Sequence, residues 1–229
     1  MKKLVLAVSL ILLCLYSFSS HAATVQLAYT GVDPGEAVNV KLGNFYTGWV
    51  LAGNYLVDLK DSQNKLLGSF RSFCVDMAWA PEKNKYFTYE LKEIIENRHK
   101  AAAYVLYQQN LGNQTYSNKV ANQIAVWEIV FDWGNINLDN GNFVLKSTSW
   151  KSQTNSVIED ALNNYSKLGS YNMFLLAVHP AGGDSSGKNY QDFLIPNPNP
   201  SPPVPLPPSV LLLLSGLLGI FGIRRKMAR

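Results

Sequence analysis

The sequence predicts an α+β fold in which an antiparallel β-sandwich or barrel-like part carries an inserted helical part. Three observations predict it: alternating apolar residues with frequent turns from Thr24 to Cys74, a switch to helical spacing from Leu91, and short apolar strand patterns again before Pro196. In order, VQLAYTG (25–31) leads to an Asp33-Pro34-Gly35 turn, AVNVKL (37–42) and FYTGWVL (45–51) follow, and Ala52-Gly53-Asn54 makes another turn. In YLVDLK (55–60), Tyr55, Val57 and Leu59 share one face. Asp61 to Lys65 is a turn, LLGSFRSFCV (66–75) a strand, and KYFTYE (85–90) one more, so the first part is an antiparallel meander. Leu91, Ile95, Ala102 and Val105 fall at helical spacing up to Gln109, and Gly112 and Asn113 break the pattern. Ser117 is placed to cap a second helix running through Trp133. After the Asp139-Asn140-Gly141 turn come a strand in NFVLKS (142–147) and a short amphipathic helix carrying Val157, Ile158, Ala161, Leu162 and Tyr165. YNMFLLAV (171–178) and YQDFLI (190–195) are late strands.

The chain has 229 residues with 47% apolar and 16% charged residues, which fits one globular domain with appendages and excludes a wholly disordered chain. The formal charge of +4 misleads, because Lys2, Lys3, Arg224, Arg225, Lys226 and Arg229 all lie in the two ends. Between them, fourteen basic residues face sixteen acidic ones, a net of −2. No nucleic-acid partner is expected, since phosphate neutralisation needs a cationic face. Two cysteines exclude a multi-cysteine zinc module and a disulfide scaffold. His99 and His179 stand far apart, no metal site is evident, and no cofactor is implied. Gly182-Gly183 lies in a polar loop and makes a flexible turn, not a phosphate loop.

Both ends carry addressing patterns. Lys2 and Lys3, the apolar run Leu4 to Tyr16 and Ser20-His21-Ala22 make residues 1–22 a secretory signal peptide cleaved after Ala22, the alternative being an uncleaved anchor. Cys14 leaves with it. Residues 23–195 form the domain and residues 196–208 a stiff Pro-rich linker. Residues 209–229 supply the apolar run Ser209 to Ile223, expected as a transmembrane helix, and a basic end that stays cytoplasmic. With Val204-Pro205-Leu206-Pro207, the glycines Gly216, Gly219 and Gly222, and Arg224-Arg225, this tail resembles the PEP-CTERM sorting signal of Gram-negative bacteria. The resemblance implies an exosortase as partner, an inner-membrane anchor before processing, and a final place at the cell surface or in the extracellular matrix. Leu206 stands where that family usually has Glu, which bears on processing more than on insertion.

The mature domain retains one cysteine, Cys74, at the end of an apolar strand; on composition it is a small core hydrophobe. The run Val120 to Phe131 is apolar on nearly every side and therefore predicts a buried helix, with Gln123 near its middle and Trp127 one turn later on the same face. A buried amide needs partners, since leaving it unpaired costs roughly 1–3 kcal/mol. Either Gln123 bonds a neighbouring backbone, or it has condensed with a thiol to form a thioester that consumes both polar groups. Phe73-Cys74-Val75 and Gln123-Ile124-Ala125-Val126-Trp127 resemble the cysteine and glutamine motifs of thioester domains in bacterial surface adhesins, with Asn122 where Thr is common. That resemblance implies a Cys74–Gln123 thioester, shielded from water by Phe73 and Trp127, that captures an amine on a surface target, a protein Lys or an amino sugar. Such capture is a single acyl transfer without turnover, so no enzyme is implied. Asp76 either orients the incoming amine or is a surface or turn carboxylate, and Glu128 is expected in a structural role, with a basic residue as its candidate partner. The alternative function is a non-covalent binding or structural protein of the exopolysaccharide matrix with Cys74 an inert thiol. A secreted cysteine hydrolase built from Cys74, a histidine and an aspartate is the third reading.

Overall fold

The computed structural model describes residues 24–77, 82–180 and 190–198. The segments expected as signal peptide, sorting motif and apolar tail, and the Gly182-Gly183 loop, lie outside the described residues. Among the described residues, no helix is long and apolar enough to cross a membrane.

The elements in chain order are β1 (Thr24–Leu42), β2 (Tyr46–Lys60), β3 (Leu66–Cys74), β4 (Tyr86–Glu93), α1 (Asn97–Asn110), α2 (Lys119–Phe131), β5 (Phe143–Leu145), α3 (Lys151–Asn164), β6 (Phe174–Val178) and β7 (Phe193–Pro196). The fold is α+β, with helices inserted between strands of one antiparallel sheet. The sheet runs β2-β3-β7-β6-β4-β1-β5, and β1 also pairs with β2, so its first six strands close into a ring. Closure leaves few open edges for another chain to pair with. The first residues of the Pro-rich run belong to this sheet: Pro196 pairs with Phe174, and the Asn197 N–H donates to the Met173 carbonyl at 2.7 Å.

Two expected turns are bends inside long strands. β1 runs through Asp33-Pro34-Gly35 and β2 runs through Ala52-Gly53-Asn54, with Gly35 opposite Gly53. Register shifts at Tyr29/Gly31 and Val32/Gly35 absorb the extra residues. Turn-forming residues in two facing segments thus kink a continuous ribbon rather than ending it. Gly53 is required there: its φ is +152°, and a Cβ would lie 1.9 Å from the Pro34 carbonyl oxygen. The chain reverses instead at Gly43-Asn44-Phe45, where Phe45 N–H donates to Leu42 O at 3.0 Å.

The helices also differ at their ends. Leu91 lies in β4 opposite Ala177, and α1 starts only at Asn97. Asn118, not Ser117, caps α2, its Oδ1 accepting from the N–H groups of Val120 and Ala121, each at 3.0 Å. This satisfies two of the orphan donors at the helix start. α2 stops at Phe131, short of Trp133.

Strand alternation splits the interior into two cores. Tyr55, Val57 and Leu59 share one face, as expected, and join Val25, Leu27, Tyr89, Phe193 and Cys74 in one cluster. Phe73 and Val75, the neighbours of Cys74, point the other way, into a larger cluster with Val38, Val40, Ala52 and the apolar residues of the three helices. α2 is central to that second cluster, and every residue from Val120 to Val130 is buried. The end of β3 therefore borders both cores.

The close approach of the two ribbon bends makes a test. Gly53→Ala is expected to cost stability by about 2 kcal/mol or more in urea denaturation, since strained backbone alone costs roughly 1–3 kcal/mol. Gly112→Ala, at φ +74° with open space around it, is expected to cost only the backbone part.

Candidate functional site

The structure brings Cys74 and Gln123 together. The pairing of β2 with β3 ends at Tyr55 opposite Ser72, so β3 has lost that neighbour when it reaches Cys74. On its other edge it pairs with β7, Cys74 lying opposite Phe193, while the Val75 N–H donates to the Asp192 carbonyl at 3.0 Å. In an antiparallel ladder, backbone groups point alternately to the two edges, so the polar groups of Cys74 face the vacated side. Gln123 fills it. Its Oε1 accepts from the Cys74 N–H at 3.1 Å, and its Nε2 donates to the Cys74 carbonyl at 2.8 Å. One side-chain amide thus replaces a missing strand in a site where both residues are wholly buried.

The thiol itself is turned to the Asp76 carbonyl, to which Sγ–H donates at 2.5 Å. Burial pushes the Cys74 thiol well above its ordinary pKa, and the neighbouring Asp76 charge adds to the rise; the Asp76 backbone contact and the nearby Trp127 indole act the other way. A group so placed stays a thiol at neutral pH. That is the reverse of the lowered pKa that thiolate hydrolases use. His179 stands edge-on to Tyr89 and Tyr190, with ring centroids 5.4 and 5.2 Å away, and His99 faces Glu96 across 3.9 Å. Among the described residues, no group of three His, Cys, Asp or Glu converges as a metal site.

The two residues expected to shield the site are both buried. Phe73 is fully buried in the helix-side core, and Trp127 lies on α2 one turn after Gln123, 1% exposed. The Trp127 ring packs against Phe143 at 6.1 Å, yet its buried Nε1–H has no hydrogen-bond partner. An apolar environment rarely leaves an indole donor unpaired. Treating Trp127 only as a shield misses this donor, whose isolation depends on where Phe143 and β3 lie in space.

Asp76 is neither a free surface carboxylate nor aimed at solvent alone. Its Oδ1 accepts from the Asp192 N–H at 3.1 Å, tying the end of β3 to the segment before β7. Glu128 has the structural role expected of it but no basic partner: its Oε1 accepts from the Asn137 N–H at 2.5 Å, and its buried Oε2 has no partner. The side chain tethers the loop after α2 rather than forming an ion pair. Burial pushes its carboxyl up to about 7, against the Asn137 hydrogen bond and with help from the nearby Asp132 charge. A second buried polar group was not evident in the pattern. Gln109 Nε2 donates to Asn54 Oδ1 at 2.9 Å and Asn122 Nδ2 donates to Gln109 Oε1 at 2.8 Å, locking α1, α2 and β2 together beside the site.

Two outcomes test this description. Gln123→Met leaves the Cys74 N–H and C=O buried without partners, and is expected to lower stability by about 2 kcal/mol or more in chemical denaturation. Glu128 has a native pKa raised from 4.5 to about 7, so the folded state holds its proton where the unfolded state has lost it. Stability is then greatest below the unfolded value and declines as pH rises through that window, and Glu128→Gln is expected to flatten the decline in melts across it. Neither a protein-family model, nor a curated protein, nor a solved structure matches this chain.

Proposed function

We propose that this chain is an exported bacterial cell-surface protein that captures amines covalently through an internal Cys74–Gln123 thioester, after sorting by an exosortase. The observation that carries the reading is the reciprocal contact between the Gln123 amide and Cys74 in a fully buried site, 49 residues apart in sequence. The single cysteine of the described residues is the one whose backbone the motif's glutamine holds. The orphan Trp127 donor beside them adds support.

The chemistry balances without a cofactor. Cys74 Sγ attacks Gln123 Cδ, the thiol proton passes to Nε2, and ammonia leaves. Closing the bond trades the Sγ–H contact with Asp76 for an Sγ–Cδ bond. The thioester has neither the thiol nor the amide N–H groups to satisfy, at the cost of the Nε2 bond to the Cys74 carbonyl. A target amine then attacks Cδ, Cys74 leaves as thiolate and takes the amine's proton, and a stable amide joins the two molecules. The closed sheet and the apolar faces of α2 and Phe73 keep water from the carbonyl. The barrel-like closure of the sheet and the signal and sorting segments belong to the same reading: a surface module carried on a Pro-rich stalk, with a protein Lys or an amino sugar as the amine.

The reciprocal hydrogen bonds themselves favour a second reading. Gln123 serves as a strand surrogate, Cys74 is an inert core thiol, and the chain is a non-covalent binding or structural component of an exopolysaccharide matrix. Intact mass separates the two. The covalent reading expects a mass lower than encoded by one ammonia, rising by one methylamine on treatment, and no capture of a labelled amine by a folded Cys74→Ala variant. The encoded mass, unchanged by methylamine and with one thiol titratable after unfolding, establishes the second reading instead.

A further inference from the structure

Expelling Cys74 sulfur from this site is electrostatically difficult. The sulfur is wholly buried, the neighbouring Asp76 contributes negative charge, and the sulfur's backbone contact is a carbonyl, which offers no proton. A thiolate developing there needs a donor, because an uncompensated charge in a low-dielectric site is costly. Trp127 supplies the right group. It stands four residues after Gln123 on α2, so the two side chains lie on one face of the helix. Its Nε1–H is buried and has no hydrogen-bond partner. Its influence on the buried Cys74 is to favour the ionised sulfur over the thiol. Phe in its place would fill the same apolar volume without the donor.

We propose that the Trp127 indole N–H is the hydrogen-bond donor that stabilises the Cys74 sulfur as the target amine displaces it. The inference rests on the thioester reading and extends it: Trp127 controls the rate of acyl transfer in addition to excluding water. In the closed thioester the sulfur is a weak acceptor, so the donor is poorly satisfied. As the Sγ–Cδ bond breaks, charge accumulates on sulfur and the same hydrogen bond strengthens. An interaction that strengthens only on the way to the transition state accelerates the step without stabilising the resting state. The thioester can therefore persist in the buried site yet open when an amine reaches the carbonyl.

The test compares the full chain with its Trp127→Phe variant, using methylamine as the nucleophile and intact mass as the readout. The expected result is that both carry the ammonia loss, while the variant takes up methylamine about 10-fold more slowly or worse, the scale of losing one hydrogen bond to a developing charge. Uptake within twofold of the parent rate overturns the donor role while leaving the thioester reading intact. Absence of the ammonia loss in the parent chain overturns both. Should the variant fail to fold, the parent chain decides through its ¹⁵N-labelled indole resonances. A Trp127 Nε1–H signal that shifts when methylamine opens the thioester supports the role, and one that does not move overturns it.

Discussion

The structure around α2 depends on a pair of hydrogen bonds that substitute a side chain for a strand. β3 must leave β2 to reach β7, and at Cys74 its N–H and C=O face an edge with no neighbour. Buried backbone groups cannot be left so, and water has no access at this depth. The Gln123 amide has one donor and one acceptor at the spacing of a peptide group, so it completes the ladder from the side. The rest follows from holding it there. α2 must be buried along its length, and an asparagine cap with a Gln109–Asn122 hydrogen bond fixes its position and register.

The same placement concentrates reactive potential in a dry site. A thiol, an amide and an unpaired indole donor are all buried where the two apolar cores adjoin. Burial raises the thiol's pKa and so suppresses free thiolate chemistry. Asp76 links the site to the remainder of the sheet through Asp192, so the end of β3, the approach to β7 and the thiol form one mechanical unit.

Much of the fold was legible in the sequence, because local pattern and tertiary role agree there. The period-2 face of Tyr55, Val57 and Leu59 became the interior of the closed sheet, and the all-round apolar run of α2 became the central buried helix. The two misread turns failed for a definite reason. Asp33-Pro34-Gly35 and Ala52-Gly53-Asn54 each carry turn chemistry, and only their position opposite one another makes them matched bends in one ribbon. Helix ends were misplaced by the same local logic: Leu91 fits a helical period, but its pairing with Ala177 holds it in β4.

For the candidate site, residue types and spacing determined which groups could react: Cys74 in an apolar strand, one glutamine inside an apolar helix, and a tryptophan one turn away. Those are properties of a one-dimensional pattern, set by side-chain chemistry and by the 3.6-residue turn. Tertiary structure alone decided that Gln123 meets Cys74, that Asp76 anchors Asp192, that Glu128 holds a loop instead of a cation, and that the Trp127 donor stands unpaired. Each depends on which backbone groups are left without a neighbour once the sheet has closed. Strand order fixes that, and strand order arises from contacts between residues far apart in the chain.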